Sequence, residues 1–404
     1  MEKSKKKKII LCVFYLLLTV AILAVVLSFN DFDATMRAVG DADIKYVLIA
    51  IALLLLYLVL YPIPLCALFK VKKVDVKLKD VYIVGMTEHF FNGVTPFSTG
   101  GQPLQAYMLS RKKVKVADST GLLIMNFVIF MLVTNIYALC SLFYFGTFTD
   151  NSAAMTTLAI IGFSINFLVF LFMVSLGTSR NIKKLIVKLI KLVAKLKFLK
   201  KFLEPKLGEF EQYAENTQKA FKELWRHKGT FFFCFFMKAI TMFIYYAITF
   251  YVIKAMGGDV SYKYLFMVVC SSAFAITMVV FVPTPGSSGG IEWAFANIIL
   301  ALGLSIESTG AMLIWRLITF YLALTISFVF YIVVEIKFRR DDKKAFIERK
   351  NSGLAADGDC YIKGDDGDFT ESGDETDVTA KTDTSNMAES TDRLHDGAEN
   401  SDSF

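Results

Sequence analysis

The feature that confines this chain most is a series of long stretches with almost no charge. They run from Ile9 to Phe29, Tyr46 to Phe69, Ser119 to Thr149, Asn151 to Ser179, Gly229 to Ile253 and Tyr264 to Ile291. About twenty apolar residues in a helix cross a hydrocarbon core of roughly 30 Å, so most of these stretches are long enough to span a bilayer. Only 20% of the 404 residues are charged, against about a quarter in a soluble domain. Helices satisfy their own backbone groups in lipid. The expected fold class is therefore an all-α polytopic membrane protein, and a cytosolic enzyme, a secreted disulfide scaffold and a nucleic-acid module are all poor fits.

The net charge of +7 conceals two opposed regions. From Asn351 onward there are 15 acidic residues against Lys363, Lys381 and Arg393, a net of −12, which leaves +19 on the preceding 350 residues. The tail, rich in Ser, Thr and Gly, is expected to be disordered and cytoplasmic over 345–404 and too poor in large apolar residues to hold a catalytic domain. Cys12, Cys66, Cys140, Cys234 and Cys270 sit in apolar runs and Cys360 in the tail. No Cys or His spacing suggests a metal, and no cofactor is expected.

Loop charge gives a topology. Lys3 and Lys5 to Lys8 hold the N-terminus in the cytoplasm ahead of an uncleaved first span, and the loop with Asp31, Asp33, Asp41 and Asp43 lies outside. The second span ends at a basic cluster, Lys70 to Lys79, and another follows at Arg111 to Lys115. Both clusters favour the cytoplasm, so the segment between them enters and leaves on one face. Its breaks at Gly93, Pro96, Gly100, Gly101 and Pro103 fit a re-entrant hairpin. Two further spans lead to Arg180–Leu203, which holds nine basic residues, no acid and an apolar stripe at helical spacing. That pattern predicts an interfacial helix stopped by Pro205, with a mixed-charge linker helix from Leu207 to Lys228. The second half, 229–337, repeats the plan of the first, 9–176, in the opposite sense: a span, a broken segment between Tyr264 and Ser308, and a last span ending inside at Lys337, Arg339 and Arg340. The transmembrane domain covers 1–344, with six full spans, two re-entrant or broken helical hairpins and both termini cytoplasmic, in the cell membrane.

An internal repeat marks a candidate site. Thr95-Pro96-Phe97-Ser98-Thr99-Gly100-Gly101 and Thr284-Pro285-Gly286-Ser287-Ser288-Gly289-Gly290 agree at five of seven positions. A motif repeated in inverted halves points to an alternating-access site. Unwound backbone, Gly pairs, hydroxyls and half-helix N-termini suit an anionic headgroup. Glu88, His89, Glu292 and Arg316 lie in otherwise apolar segments, where a charge at a helix centre costs roughly 2.5 to 3.5 kcal/mol on insertion scales, so each needs a partner or a polar cavity. Lys238 is expected to snorkel to the inner face and is given no role.

At these residues the chain resembles the transmembrane region of the lysylphosphatidylglycerol synthase family, a group of flippase-like membrane proteins. The likeness rests on Asn92 to Leu109 (NGVTPFSTGGQPLQAYML), Val282 to Phe295 (VPTPGSSGGIEWAF) and Trp315 to Leu322 (WRLITFYL), in that order. It implies movement of aminoacylated phosphatidylglycerol or a related lipid between leaflets, and its first string adds Asn92 and Gln102 to the lipid-binding set. In long bacterial members a soluble domain transfers lysine from lysyl-tRNA to the lipid. The 64 residues after Arg340 are expected not to supply it. A lipid transporter is thus the favoured reading, phosphatidylglycerol lysyltransferase, with its role in cationic-peptide resistance, the alternative, and a scaffold whose tail recruits a partner the reserve. The expected partners are anionic or aminoacylated phospholipids and a separate soluble partner, with nucleic acid entering only as lysyl-tRNA under the alternative; no catalytic residue is assigned.

Overall fold

The structure, a computed structural model, describes residues 36–37, 39–95, 98–142, 153–179, 181, 184, 188, 197–279, 284, 287, 289–301, 306, 308–351, 362–363 and 369–370. The expected first span at 9–29 and most of the expected interfacial helix lie outside them. In the tail, Ile362–Lys363 and Phe369–Thr370 pair as two short antiparallel strands, β1 and β2. All the other elements are helical.

The first broken segment is built from short helices because its sequence denies it long ones. A span made of α1 (Ile44–Leu60) and α2 (Ile63–Val71) bends at Tyr61-Pro62, where a proline nitrogen has no proton to donate. It is followed by α3 (Leu78–Met86), α4 (Glu88–Val94) and, after the Thr-Pro-Phe-Ser-Thr-Gly interruption, α5 (Gly101–Ser110). Ten residues of α5 rise about 15 Å, half of a hydrocarbon core. Next come α6 (Val116–Leu142) and α7 (Ala153–Thr178), then α8 (Lys197–Arg226) and α9 (Lys228–Ala255). The second broken segment holds a 3-10 turn at Tyr262–Tyr264, α10 (Leu265–Val279) and α11 (Gly290–Ala301). The last span is α12 (Ser308–Arg316), a π-helical stretch at Leu317–Leu322, and α13 (Ala323–Asn351).

Six helical stretches among the described residues have the length and apolarity to cross a membrane: Ile44–Val71, Val116–Ser141, Ile160–Thr178, Lys228–Ala255, Tyr262–Val279 and Ser308–Asp341. Five coincide with expected spans. The other, Tyr262–Val279, is the first limb of the second broken segment, so that segment is a full-length limb followed by a shorter one.

The core forms where α9 packs along α1, α6 and α10, with α13 lying against α3 and α4. Large apolar side chains remain exposed on the outer faces, among them Leu48, Leu55 and Val59 of α1, Phe232, Phe236 and Ile240 of α9, and Val329, Val333 and Ile336 of α13. Their spacing by three, four or seven residues makes one stripe per helix. Such stripes would be a liability in water and are the natural contact with acyl chains.

Two expectations about the connecting region are corrected. Pro205 does not stop a helix, because α8 runs through it from Lys197 to Arg226. An interior proline costs about 3 kcal/mol, and the strong helix formers around it together with the docking of the rest of α8 outweigh that cost. Nor is α8 a mere linker. Ala214, Thr217, Ala220, Phe221 and Leu224 are buried, and Gln218 Nε2 donates to the carbonyls of Leu176 (3.1 Å) and Ser179 (3.3 Å) at the end of α7.

Ion pairs and backbone bonds sort the loops to two ends. Asp80 of α3 pairs with Lys337 (2.5 Å), Arg111 with Glu335 (2.8 Å) and Lys112 with Asp341 (2.6 Å), all on α13. The first broken segment therefore starts and finishes at the end where the last span finishes, which is the geometry of a re-entrant hairpin. At the opposite end of α9 the Asp43 N–H donates to the Ala255 carbonyl (2.8 Å), joining the start of α1 to the finish of α9.

Candidate functional site

The two copies of the repeat share a backbone conformation. Ser98 and Ser287, both at the fourth position, are left-handed with φ of 51°. Each donates its N–H to the carbonyl of the threonine that opens its copy, Ser98 to Thr95 (3.2 Å) and Ser287 to Thr284 (3.0 Å). Each copy also ends on a glycine, Gly101 or Gly290, that begins a helix. The shared Thr-Pro-x-Ser chemistry thus makes one turn twice, and each turn presents a helix N-terminus with its unpaired N–H groups.

In the first copy those donors are already used. Thr95 Oγ1 donates to the Phe91 carbonyl and accepts from the Gly100 N–H, both at 2.8 Å, and Asn92 Oδ1 accepts from the Gly101 N–H at 2.8 Å. The glycines are needed for this closure. A Cβ at Gly100 would stand 2.4 Å from Thr95 Cγ2, and one at Gly101 would stand 2.6 Å from Asn92 Oδ1 and 2.8 Å from Glu88 Cγ. The Gly pair is where the hairpin folds on itself, and the expected open approach to its main chain is filled by Thr95, Asn92 and Glu88. Gln102 is half-buried at the second position of α5.

The second copy is arranged differently. Glu292, in the first turn of α11, accepts from the Gly289 N–H through Oε2 and from Arg316 Nε through Oε1, each at 2.6 Å. Both side chains are nearly buried, at 13% and 6% exposure. The guanidinium carbon lies 4.8 Å from the centre of the Phe320 ring, in the π-helical stretch that follows Arg316. Gly289 has φ of 90° and nothing within 4 Å of where a Cβ would stand. A carboxylate held by a helix-terminal N–H and a guanidinium occupies the donor set that binds phosphate oxygens elsewhere in proteins.

Beside the first copy lies a second buried ionisable group of side chains. Glu88, 5% exposed, accepts from Gln105 Nε2 (3.4 Å), with Tyr61 and Asn92 beside its carboxylate. Lys238 of α9 faces it, fully buried, with Nζ 3.7 Å from the centre of the Tyr61 ring and no hydrogen-bond partner. The expected snorkelling of Lys238 is corrected. Ten residues from Lys228 is about 15 Å along the helix, beyond the reach of a lysine, and the side chain turns inward onto an aromatic face. His89 packs with its ring tilted against Tyr61 (4.6 Å) and Tyr57 (5.3 Å), and its buried Nε2 has no partner among the described residues.

A tyrosine joins the two groups. Tyr245 packs on Tyr57 at 4.7 Å and lies near Thr319 and Arg316. Glu88, His89, Glu292 and Arg316 are thus brought into one connected polar seam with both glycine pairs at its margins. Lys238, Tyr57, Tyr61, Gln105 and Tyr245 belong to the seam as well. The depth of Lys238 in its helix was the one signal that could have found it. Pro96, Pro285 and Gly286 lie outside the described residues.

Broken helices that carry buried charges in an otherwise apolar bundle define an all-α polytopic membrane protein with a polar seam inside the membrane. This chain belongs to a particular family of that class, that of the lysylphosphatidylglycerol synthase TM region, whose family model matches residues 13–327. The match takes in both repeat copies and the Glu292–Arg316 pair. No curated protein matches the chain.

Proposed function

We propose that the protein is a transporter that moves an anionic phospholipid, phosphatidylglycerol or an aminoacylated derivative such as its lysyl ester, between the leaflets of the cell membrane, with both termini in the cytoplasm. The observation that carries this reading is the position of the Glu292 carboxylate between the Gly289 N–H and Arg316. Glu292 stands in for the phosphate of a lipid. An entering headgroup takes over the two donors, and the released carboxylate turns to the ammonium of an aminoacyl headgroup. Gly289 leaves space on its side-chain face for that exchange. The paired turns support alternating access, since each begins a helix capped by side chains, the first by Thr95 and Asn92 and the second by Glu292.

The test is leaflet exchange in liposomes containing the purified full chain and a fluorescent phosphatidylglycerol or lysyl-phosphatidylglycerol. Wild-type protein should accelerate exchange, and Arg316→Lys, which keeps the charge and loses the planar fork, should reduce it with the fold intact. Wild-type exchange no faster than in empty liposomes, or unimpaired exchange by Arg316→Lys, overturns the proposal. Transfer of lysine from lysyl-tRNA to lipid by this chain would replace it with the enzyme reading.

A further inference from the structure

The seam holds a buried cation that the anion site does not use. Lys238 Nζ is sealed from solvent without a hydrogen bond, on the face of Tyr61 and facing Glu88. An ammonium with no bonded counter-ion among the described residues is costly at this depth, yet Glu88, Gln105 and Tyr61 line the same space. We propose that Glu88 and Lys238 form a coupling-ion site for the proton, which moves the first re-entrant hairpin as it binds and leaves.

The ligand class follows from the lining. A sodium ion needs several oxygen ligands and would meet the ammonium of Lys238, and among the described residues no cluster of three His, Cys, Asp or Glu side chains exists to hold a metal. A proton needs only one acceptor. It comes from hydronium in water on the side to which the seam is open, forms the O–H of Glu88 and leaves water behind. The reverse step releases it to water on the other side, and Lys238 supplies the positive charge that drives release.

The mechanical link is the packing of Glu88 on the turn. A Cβ at Gly101 would stand 2.8 Å from Glu88 Cγ, and Asn92 Oδ1, beside them, accepts from the Gly101 N–H that begins α5. Protonation neutralises the carboxylate against that turn and loosens its closure at Gly100-Gly101. Other titratable groups face the pair from each packed element. They are Tyr57 and Tyr61 at the junction of α1 and α2, His89 next to Glu88, and Cys234 one turn before Lys238, whose thiol donates to the Pro64 carbonyl (3.5 Å). Arg316 and Glu292 lie one tyrosine away, bonded to each other, and Asp80 is held by Lys337. None of these offers Lys238 a hydrogen bond.

The site is independent of which lipid is carried, so its test needs none. Full-length protein with its native cysteines replaced and Thr99→Cys as the only thiol is labelled in detergent with a neutral methanethiosulfonate reagent, the rate being divided by that of a free thiol at each pH. The corrected rate should rise several-fold from alkaline to acid pH, and Glu88→Gln or Lys238→Met should flatten or displace that profile. Infrared titration of the protein carrying all its native residues should show, among its protonated-carboxyl bands, one that Glu88→Gln removes. A flat profile in the unsubstituted pair, or a carboxyl band unchanged by Glu88→Gln, overturns the proposal whatever the variants do to folding. Loss of lipid exchange with the pH response intact would instead overturn the transport reading alone.

Discussion

Ser98 and Ser287, far apart in the chain, adopt the same left-handed φ of 51° and make the same backbone bond to the threonine three residues earlier. A β-branched residue pays about 1 to 2 kcal/mol for that conformation, and glycine pays nothing in the folded state. Ser98→Val and Ser287→Val should each lower thermal stability in detergent, whereas Ser98→Gly and Ser287→Gly should stay close to the parent. Ser287 is also buried, so its valine variant should be the more affected. Equal melting temperatures for the Val and Gly variants at both positions would show that the turns are not held as described.

The glycines of the two copies fail for different reasons. Gly100→Ala and Gly101→Ala push a methyl group into Thr95, Asn92 and Glu88, an overpacking that costs about 1 to 3 kcal/mol. Gly289→Ala meets no atom but is forced into positive φ, a backbone cost of about 1 to 2 kcal/mol. Trimming the neighbour with Asn92→Ala should therefore recover part of the stability lost in Gly101→Ala. No neighbour substitution should rescue Gly289→Ala. Chemical-denaturation midpoints of the single and double variants test the contrast.

Breaking the Glu292–Arg316 pair from one side should be worse than removing it. Arg316→Met leaves the carboxylate with the Gly289 N–H alone among the described residues, and the loss of one partner of a buried pair typically costs about 3 to 5 kcal/mol. Glu292→Gln with Arg316→Met removes both charges and should regain much of that stability without regaining lipid exchange. A double-mutant cycle read by thermal unfolding measures the coupling. Additive effects would mean that the 2.6 Å contact contributes no stability.

The breaks were legible because Pro and Gly interrupt apolar runs at Thr95–Gly101 and Thr284–Gly290 and nothing else in the chain does so twice. The spans were legible because nearly all charge lies at their ends, Lys238 and Arg316 excepted. The destination of Lys238 was not, since a lone lysine in an apolar helix is compatible with snorkelling or with burial, and its neighbours Tyr61 and Glu88 come from distant parts of the chain. The internal capping of Gly100 and Gly101 was hidden for a related reason. A Gly pair looks the same in sequence whether a ligand or the chain's own Thr95 and Asn92 fills the space beside it. Pro205 misled because its local penalty is smaller than the tertiary docking of α8.

The last prediction is the topology on which alternating access rests. Arg111 and Lys112, directly after α5, are clamped to Glu335 and Asp341 near the finish of the last span, while Ser308 begins that span. From Ser308 to Glu335 is 27 residues, about 40 Å at helical rise, enough to put the two positions on opposite faces. The basic residues at 111–115 and 337–344 favour the cytoplasmic side. Single cysteines replacing Ser110 and Ser308 in a background free of other cysteines should therefore react with a membrane-impermeant maleimide from opposite sides, Ser110→Cys from within and Ser308→Cys from without. Ser110→Cys should react more readily once Glu335→Gln and Asp341→Asn have opened the clamp. Labelling of both positions from one face would sink the inverted arrangement of the halves and, with it, the two-sided access that transport requires.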